Sequence, residues 1–241
     1  MGARLAAAAW VLLALATSAG AQTPLLAAFP ASGNTPAAPW RVAGVPGQKM
    51  PLTQFSLVDL DGRRALRVQA DESYGNLVHP LTLDQSALHL AWQWRVDQLL
   101  AGANLREKKG DDAALKVCVF FDLPIDSVPF FERQLLRLAR QRTGEALPAA
   151  TVCYVWDTRL PVGTAVDNAF TRRVRYLVLQ TGPVAPRQWA NERRDVAADF
   201  LRLFGAESPQ VPPIIGVAIG ADADNTHGNS LGHVAGLVLE P

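Results

Sequence analysis

Leu88-His89-Leu90-Ala91-Trp92-Gln93-Trp94-Arg95-Val96-Asp97 alternates without a break. Leu88, Leu90, Trp92, Trp94 and Val96 are apolar, and the residues between them are mostly polar. Successive side chains of an extended chain point to opposite faces, so this stretch reads as a strand with one face on a core and the other toward water. One such strand needs partners, and the flanking sequence supplies them. Gln54 to Leu60 and Arg63 to Ala70 flank Asp61-Gly62, a two-residue connection that favours a hairpin with a primed turn. Further strand-like runs occur at Asn76 to Leu83, Ala114 to Asp122, Ala150 to Asp157, Arg172 to Thr181, Ile214 to Gly220 and His233 to Leu239. Together they make about nine strands, enough for two packed sheets.

Two segments carry helical spacing instead. Phe131, Leu135 and Leu138 repeat at i, i+4 and i+7 behind Pro129, and Trp189, Val196, Phe200, Leu203 and Phe204 line one face before Gly205. The expected fold is mainly β, a two-sheet β-sandwich of jelly-roll type with two covering α-helices. No repeat of solenoid or propeller length interrupts it.

The N-terminus carries Arg4, an apolar run from Leu5 to Ala16, and the small-x-small site Ala19-Gly20-Ala21. That is the layout of a cleavable secretory signal, too short at about a dozen apolar residues to span a bilayer. Residues 1–21 are therefore expected to be a signal peptide, 22–53 an irregular Pro-, Ala- and Gly-rich lead-in, and 54–241 a single β-sandwich domain. The protein is expected to be periplasmic or secreted, with no membrane insertion after signal cleavage.

With Arg4 gone, basic and acidic residues are equal in number, and the arginine groups are interleaved with carboxylates. Nothing in that balance points to nucleic acid or to an anionic membrane. The two cysteines, Cys118 and Cys153, each sit mid-strand in a chain bound for an oxidising compartment. A cross-strand disulfide and a pair of buried thiols are both compatible with that placement.

Gly228-Asn229-Ser230-Leu231-Gly232 matches the G-x-S-x-G elbow of α/β-hydrolases, but it is followed by a terminal strand instead of a helix and lacks the downstream acid-then-histidine order. The four histidines, His79, His89, His227 and His233, have no zinc spacing. Asp222-Ala223-Asp224-Asn225-Thr226 concentrates oxygen donors, so Asp222, Asp224 and Asn225 are candidate ligands of a structural calcium, completed by Asp111 and Asp112. A self-bonded Asx turn is the competing reading. Asp111 and Asp112, with Trp94 on a concave apolar surface, are candidates for holding a ligand. Most tryptophans read first as core. Among acids for glycan hydrolysis, Glu192 and Asp195 stand beside Arg193 and Arg194 and read better as surface ion pairs.

Taken in order, Trp92-Gln93-Trp94-Arg95-Val96, Gly110-Asp111-Asp112, Tyr154-Val155-Trp156 and Asp222-Ala223-Asp224-Asn225-Thr226 give the pattern W-x-W-R-V, G-D-D, Y-V-W, D-x-D-N-T. The chain thereby resembles a bacterial exported family catalogued only as a domain of unknown function, from about Phe55 to Leu239. The resemblance implies that the Gly110 to Asp112 and Asp222 to Thr226 segments are hallmarks of the family; it implies no activity.

With no complete catalytic set in the sequence, the expected function is a non-catalytic binding module for a glycan or another envelope component. Two alternatives stand beside it. One is a carboxylate-dependent glycan-cleaving enzyme using Asp111, Asp112, Asp222 or Asp224, and the other is a purely structural envelope protein.

Overall fold

A computed structural model describes residues 24–45, 47–84, 88–143, 146–182 and 188–240; the signal peptide read at 1–21 lies outside these residues. In chain order the elements are β1 (Arg41–Ala43), β2 (Gln54–Leu60), β3 (Arg63–Asp71), β4 (Tyr74–Leu83), β5 (His89–Gln98), β6 (Leu115–Phe121), α1 (Phe130–Thr143), β7 (Ala150–Asp157), β8 (Ala165–Asp167), β9 (Val174–Thr181), β10 (Ala190–Asp195), α2 (Val196–Phe204), β11 (Ile214–Asp222) and β12 (Asn229–Glu240). They form a seven-stranded sheet in the order β1-β4-β11-β6-β7-β9-β8 and a five-stranded sheet in the order β10-β5-β12-β3-β2.

The pairing makes this sandwich a jelly roll. β3 and β4 follow one another in the chain but lie in different sheets, and so do β11 and β12. Yet β3 pairs antiparallel with β12, and β4 with β11. Two crossovers, 72–73 and 223–228, therefore run side by side from one sheet to the other at one end of the molecule. β5 and β6 repeat the arrangement on the other flanks of β12 and β11.

The expected hairpin is present: Asp61 has φ 53° and Gly62 φ 71°, the paired positive angles of a type I′ turn. Trp92 and Trp94, on the apolar face of β5, meet Tyr154 and Trp156 of β7 across the sandwich, with ring centroids 5.3 and 5.6 Å apart. Aromatic pairs at such spacing add to the area they bury. Trp94 is completely buried, so it belongs to this core and lines no open surface.

The lead-in wraps the sandwich. Trp40 is buried and donates from Nε1 to the Ala27 carbonyl, and the Ala27 amide donates to His79 Nε2.

Both helices depart from their expected form. Trp189 precedes a short edge strand, β10, and the helix begins only at Val196. Asp195 caps it by accepting from the Ala198 amide at 2.9 Å. The apolar face of α2 is Val196, Phe200 and Phe204, and the Phe200 ring packs on Phe121 with centroids 4.7 Å apart. Each fully buried side chain of this kind contributes about 1.5–3 kcal/mol. Helix α1 forms where its spacing predicts, but its stripe faces outward: Phe131 is 81% exposed, Leu135 62% and Leu138 42%. Among the described side chains of α1 only Leu136 is buried, while Glu132 and Arg133 hold the helix down through Arg173 and Asp126.

Candidate functional site

The acids singled out in the sequence converge where the 99–114 loop meets the end of β11. The side chains there project from the outer face of the seven-stranded sheet. Lys116 is the one charged residue of an otherwise apolar strand, Leu115–Phe121. Its Nζ lies 2.7 Å from Asp222 Oδ2 and 5.0 Å from the Tyr74 ring centre. Burial opposes charge on Lys116, but the Asp222 carboxylate overrides it and holds the ammonium above its ordinary value. The other Asp222 oxygen accepts from the Ala113 amide at 2.8 Å.

Asp112 is equally committed. Its Oδ1 accepts from the amide and the side-chain Nδ2 of Asn225, and its Oδ2 accepts from the amide and hydroxyl of Thr226 at 2.7 and 2.6 Å. It braces the 223–228 crossover against the 99–114 loop. Asp111 lies beside it, accepting from Asn168 Nδ2, which also donates to Tyr176 Oη at 2.9 Å. Burial, and then the nearby Asp222 carboxylate, push the Asp111 carboxyl up to about 7.

These acids do not suit calcium. Asp222 spends one oxygen on an ammonium, Asp112 spends both on the crossover, and an incoming dication would have to displace Lys116. Among the described residues no group of three or more His, Cys, Asp and Glu side chains is placed to hold a metal ion.

One acid of the set faces water. Asp224 is half-buried and lines an open cleft of about 530 Å³ together with Met50, Pro51, Asp71, Glu72 and His227. Burial raises its carboxyl above the ordinary range, and the Asp112 and Asp222 carboxylates raise it further. Its Oδ1 is buried and has no hydrogen-bond partner among the described residues.

The cleft is built by the two crossovers. Glu72, in the β3–β4 crossover, donates its amide to the Gly228 carbonyl of the β11–β12 crossover at 2.9 Å. The Glu72 carboxylate lies 3.3 Å from His227 Nδ1. Glu72 has φ 44° and His227 φ 50°. Side chains rarely tolerate this left-handed backbone, and such strain gathers at ligand sites. Of the three non-glycine residues with positive φ among the described residues, two thus face the same cleft.

Asp71 and Glu72 carry no local mark in the sequence, and His227 has only its lack of zinc spacing; the pairing of two distant crossovers is what brings them to Asp224. Lys116 did leave a signal, a charge in the middle of an apolar strand. The remaining acids are structural. Glu192 accepts from Trp94 Nε1 and Gln180 Nε2, and Asp195 caps α2. Ser230 of the G-x-S-x-G match is buried near the start of β12. Cys118 and Cys153 stand opposite one another on β6 and β7 and are joined as a disulfide.

Residues 38–238 match the model of a family described as a protein of unknown function, DUF3047. No curated protein matches the chain. Among solved structures, the xyloglucanase domain of NopAA from Sinorhizobium fredii is 7% identical, with 86% of this chain and 96% of that one covered at a TM-score of 0.44. Endoglucanase 3 of Trichoderma harzianum is 10% identical over 85% and 98%, with a TM-score of 0.39. The native family 12 xyloglucanase of Bacillus licheniformis is 8% identical over 81% and 89%, with a TM-score of 0.42. These three structures are named as a xyloglucanase domain, an endoglucanase and a xyloglucanase, so the expectation of a non-catalytic binding module finds no support among them and is withdrawn. At such scores the likeness carries over no residue, substrate or mechanism.

Proposed function

This chain belongs to the DUF3047 family of proteins of unknown function, and we propose that it is a carboxylate-dependent glycan-cleaving enzyme working in the cleft between Asp224 and Glu72. The observation that carries this reading is the contrast between the two acids. Asp224 is held toward its protonated form by burial and like charge, while the Glu72 side chain is 62% exposed beside His227. Two carboxyl groups in unlike surroundings divide the work of acid and base.

Asp224 gives its proton to the glycosidic oxygen as the bond to the leaving sugar breaks. Glu72 supplies the second carboxylate: at a wide separation it takes a proton from the water that bonds to the anomeric carbon, giving inversion, and at a narrow one it bonds to that carbon itself before water releases the sugar, giving retention. His227 positions Glu72 through its Nδ1 contact. Among the described residues the lining contains no lysine or arginine, so the cleft suits a neutral, hydroxyl-rich chain better than an anionic one.

The working protein is a single β-sandwich domain exported to the periplasm or beyond. The signal-like N-terminus and the Cys118–Cys153 bond both support this, since disulfides persist outside the cytoplasm. Among the described residues no helix is long and apolar enough to cross a membrane.

The test is release of new reducing ends from a panel of neutral polysaccharides. The parent should release them, and Asp224→Asn and Glu72→Gln should each lose roughly a hundredfold or more at unchanged melting temperature. Failure of the parent on the whole panel, or unchanged rates in both variants, would remove the proposal.

A further inference from the structure

Helix α1 presents an amphipathic face to solvent. Phe131, Leu135 and Leu138 follow one another at i, i+4 and i+7, and side chains so spaced share one face of a helix. Phe130, 63% exposed, extends the patch, and the Phe130 and Phe131 rings meet edge to face at 5.5 Å. The opposite side of the helix is the one that docks: Leu136 is buried, Glu132 lies 3.6 Å from Arg173, and Arg140 donates to the Leu147 carbonyl. A surface helix of a soluble domain ordinarily turns its apolar side inward.

The charges around the stripe say what would cover it. Glu132, the only carboxylate of α1, is on the docked side. Arg142 ends the stripe at i+11 from Phe131, and Arg137 lies on the flank that also carries Phe130, Gln134 and Gln141. Arg137 and Arg142 are exposed and have no ion-pair partner among the described residues. An apolar stripe edged by unpaired guanidinium groups and free of carboxylates is complementary to a surface that offers acyl chains beneath anionic headgroups. A second copy of this chain fits less well, because a two-fold pairing of the stripes would bring like charges together.

We propose that α1 is a peripheral docking helix that lies in the headgroup region of an anionic lipid bilayer, with Phe131, Leu135 and Leu138 inserted and Arg137 and Arg142 on the phosphates. It holds the sandwich at the membrane without crossing it.

The probe is co-sedimentation with vesicles of phosphatidylglycerol and phosphatidylcholine in equal parts, with pure phosphatidylcholine as control. All proteins are prepared identically, so a contribution from the N-terminal apolar run is common to them. The parent should bind the anionic vesicles, and less so at high salt. Phe131→Ser with Leu135→Ser should cut the partition by about tenfold or more, because two exposed apolar side chains are removed. Arg137→Gln with Arg142→Gln should cut it roughly fivefold per arginine, the equivalent of about 1 kcal/mol each. All four side chains are exposed, so the melting temperature should hold. Absence of binding to the anionic vesicles, equal binding by the variants, or a dimer that the Phe131/Leu135 variant dissolves would each overturn the proposal.

Discussion

Lys116 Nζ lies 2.7 Å from Asp222 Oδ2, with each side chain only 5% exposed. Two ions withdrawn from water this far depend on one another, because either alone would be an uncompensated buried charge. Lys116→Met should therefore destabilise the fold by about 3–5 kcal/mol. Pairing it with Asp222→Asn should recover part of that loss. Denaturant midpoints of the two single variants and the double variant check this; strictly additive losses would mean that the two groups are not coupled.

Asp111 makes a prediction with a definite sign. Its carboxyl is raised from 3.8 to about 7 in the folded chain, so between those values the folded state holds a proton that the unfolded state has released. Stability must then fall as pH rises through that window, and the penalty is complete above the folded value. Asp111→Asn should flatten this part of the stability curve and gain most on the parent at the alkaline end. Chemical denaturation at a series of pH values reads it directly, and an unchanged curve would speak against the burial of this carboxyl.

The Cys118–Cys153 bond closes a loop of 35 residues between two neighbouring strands. On the chain-entropy account such a cross-link contributes about 3–4 kcal/mol. Cys118→Ala with Cys153→Ala should lower the denaturant midpoint accordingly. A reducing agent should lower the parent to the same level and leave the variant where it is.

The fold was legible where periodicity speaks for itself. Leu88 to Asp97 shows its two faces by alternation, and Asp61-Gly62 shows its turn by the two residues that accept positive φ. Helix α1 was legible as a helix but not in its orientation. Spacing shows that Phe131, Leu135 and Leu138 share a face; it does not show whether that face meets the sheet, and here Glu132 and Arg133 decide otherwise through partners outside the helix. Trp189 fits a helical stripe equally well, yet pairing with β5 makes the following residues a strand.

The site was legible by half. Asp111, Asp112, Asp222 and Asp224 do gather, but Asp112 is spent on the crossover, Asp111 accepts from Asn168 and Asp222 pairs with Lys116, and only Asp224 reaches the cleft. Glu72 reaches the cleft from the other crossover, 155 residues in sequence from the His227 it contacts. Such contacts are set by sheet order, which no local pattern encodes.

The proposed role of Asp224 as proton donor opposite Glu72 is read from the pH dependence of kcat/KM on a polysaccharide that the parent cleaves. Asp224 must be protonated to act, and burial raises its carboxyl above the ordinary range, so activity should fall as pH rises. Asp224→Asn should lower the rate roughly a hundredfold or more and abolish this alkaline limb. An Asp224→Asn variant that keeps both the parent's rate and its alkaline limb would contradict that role.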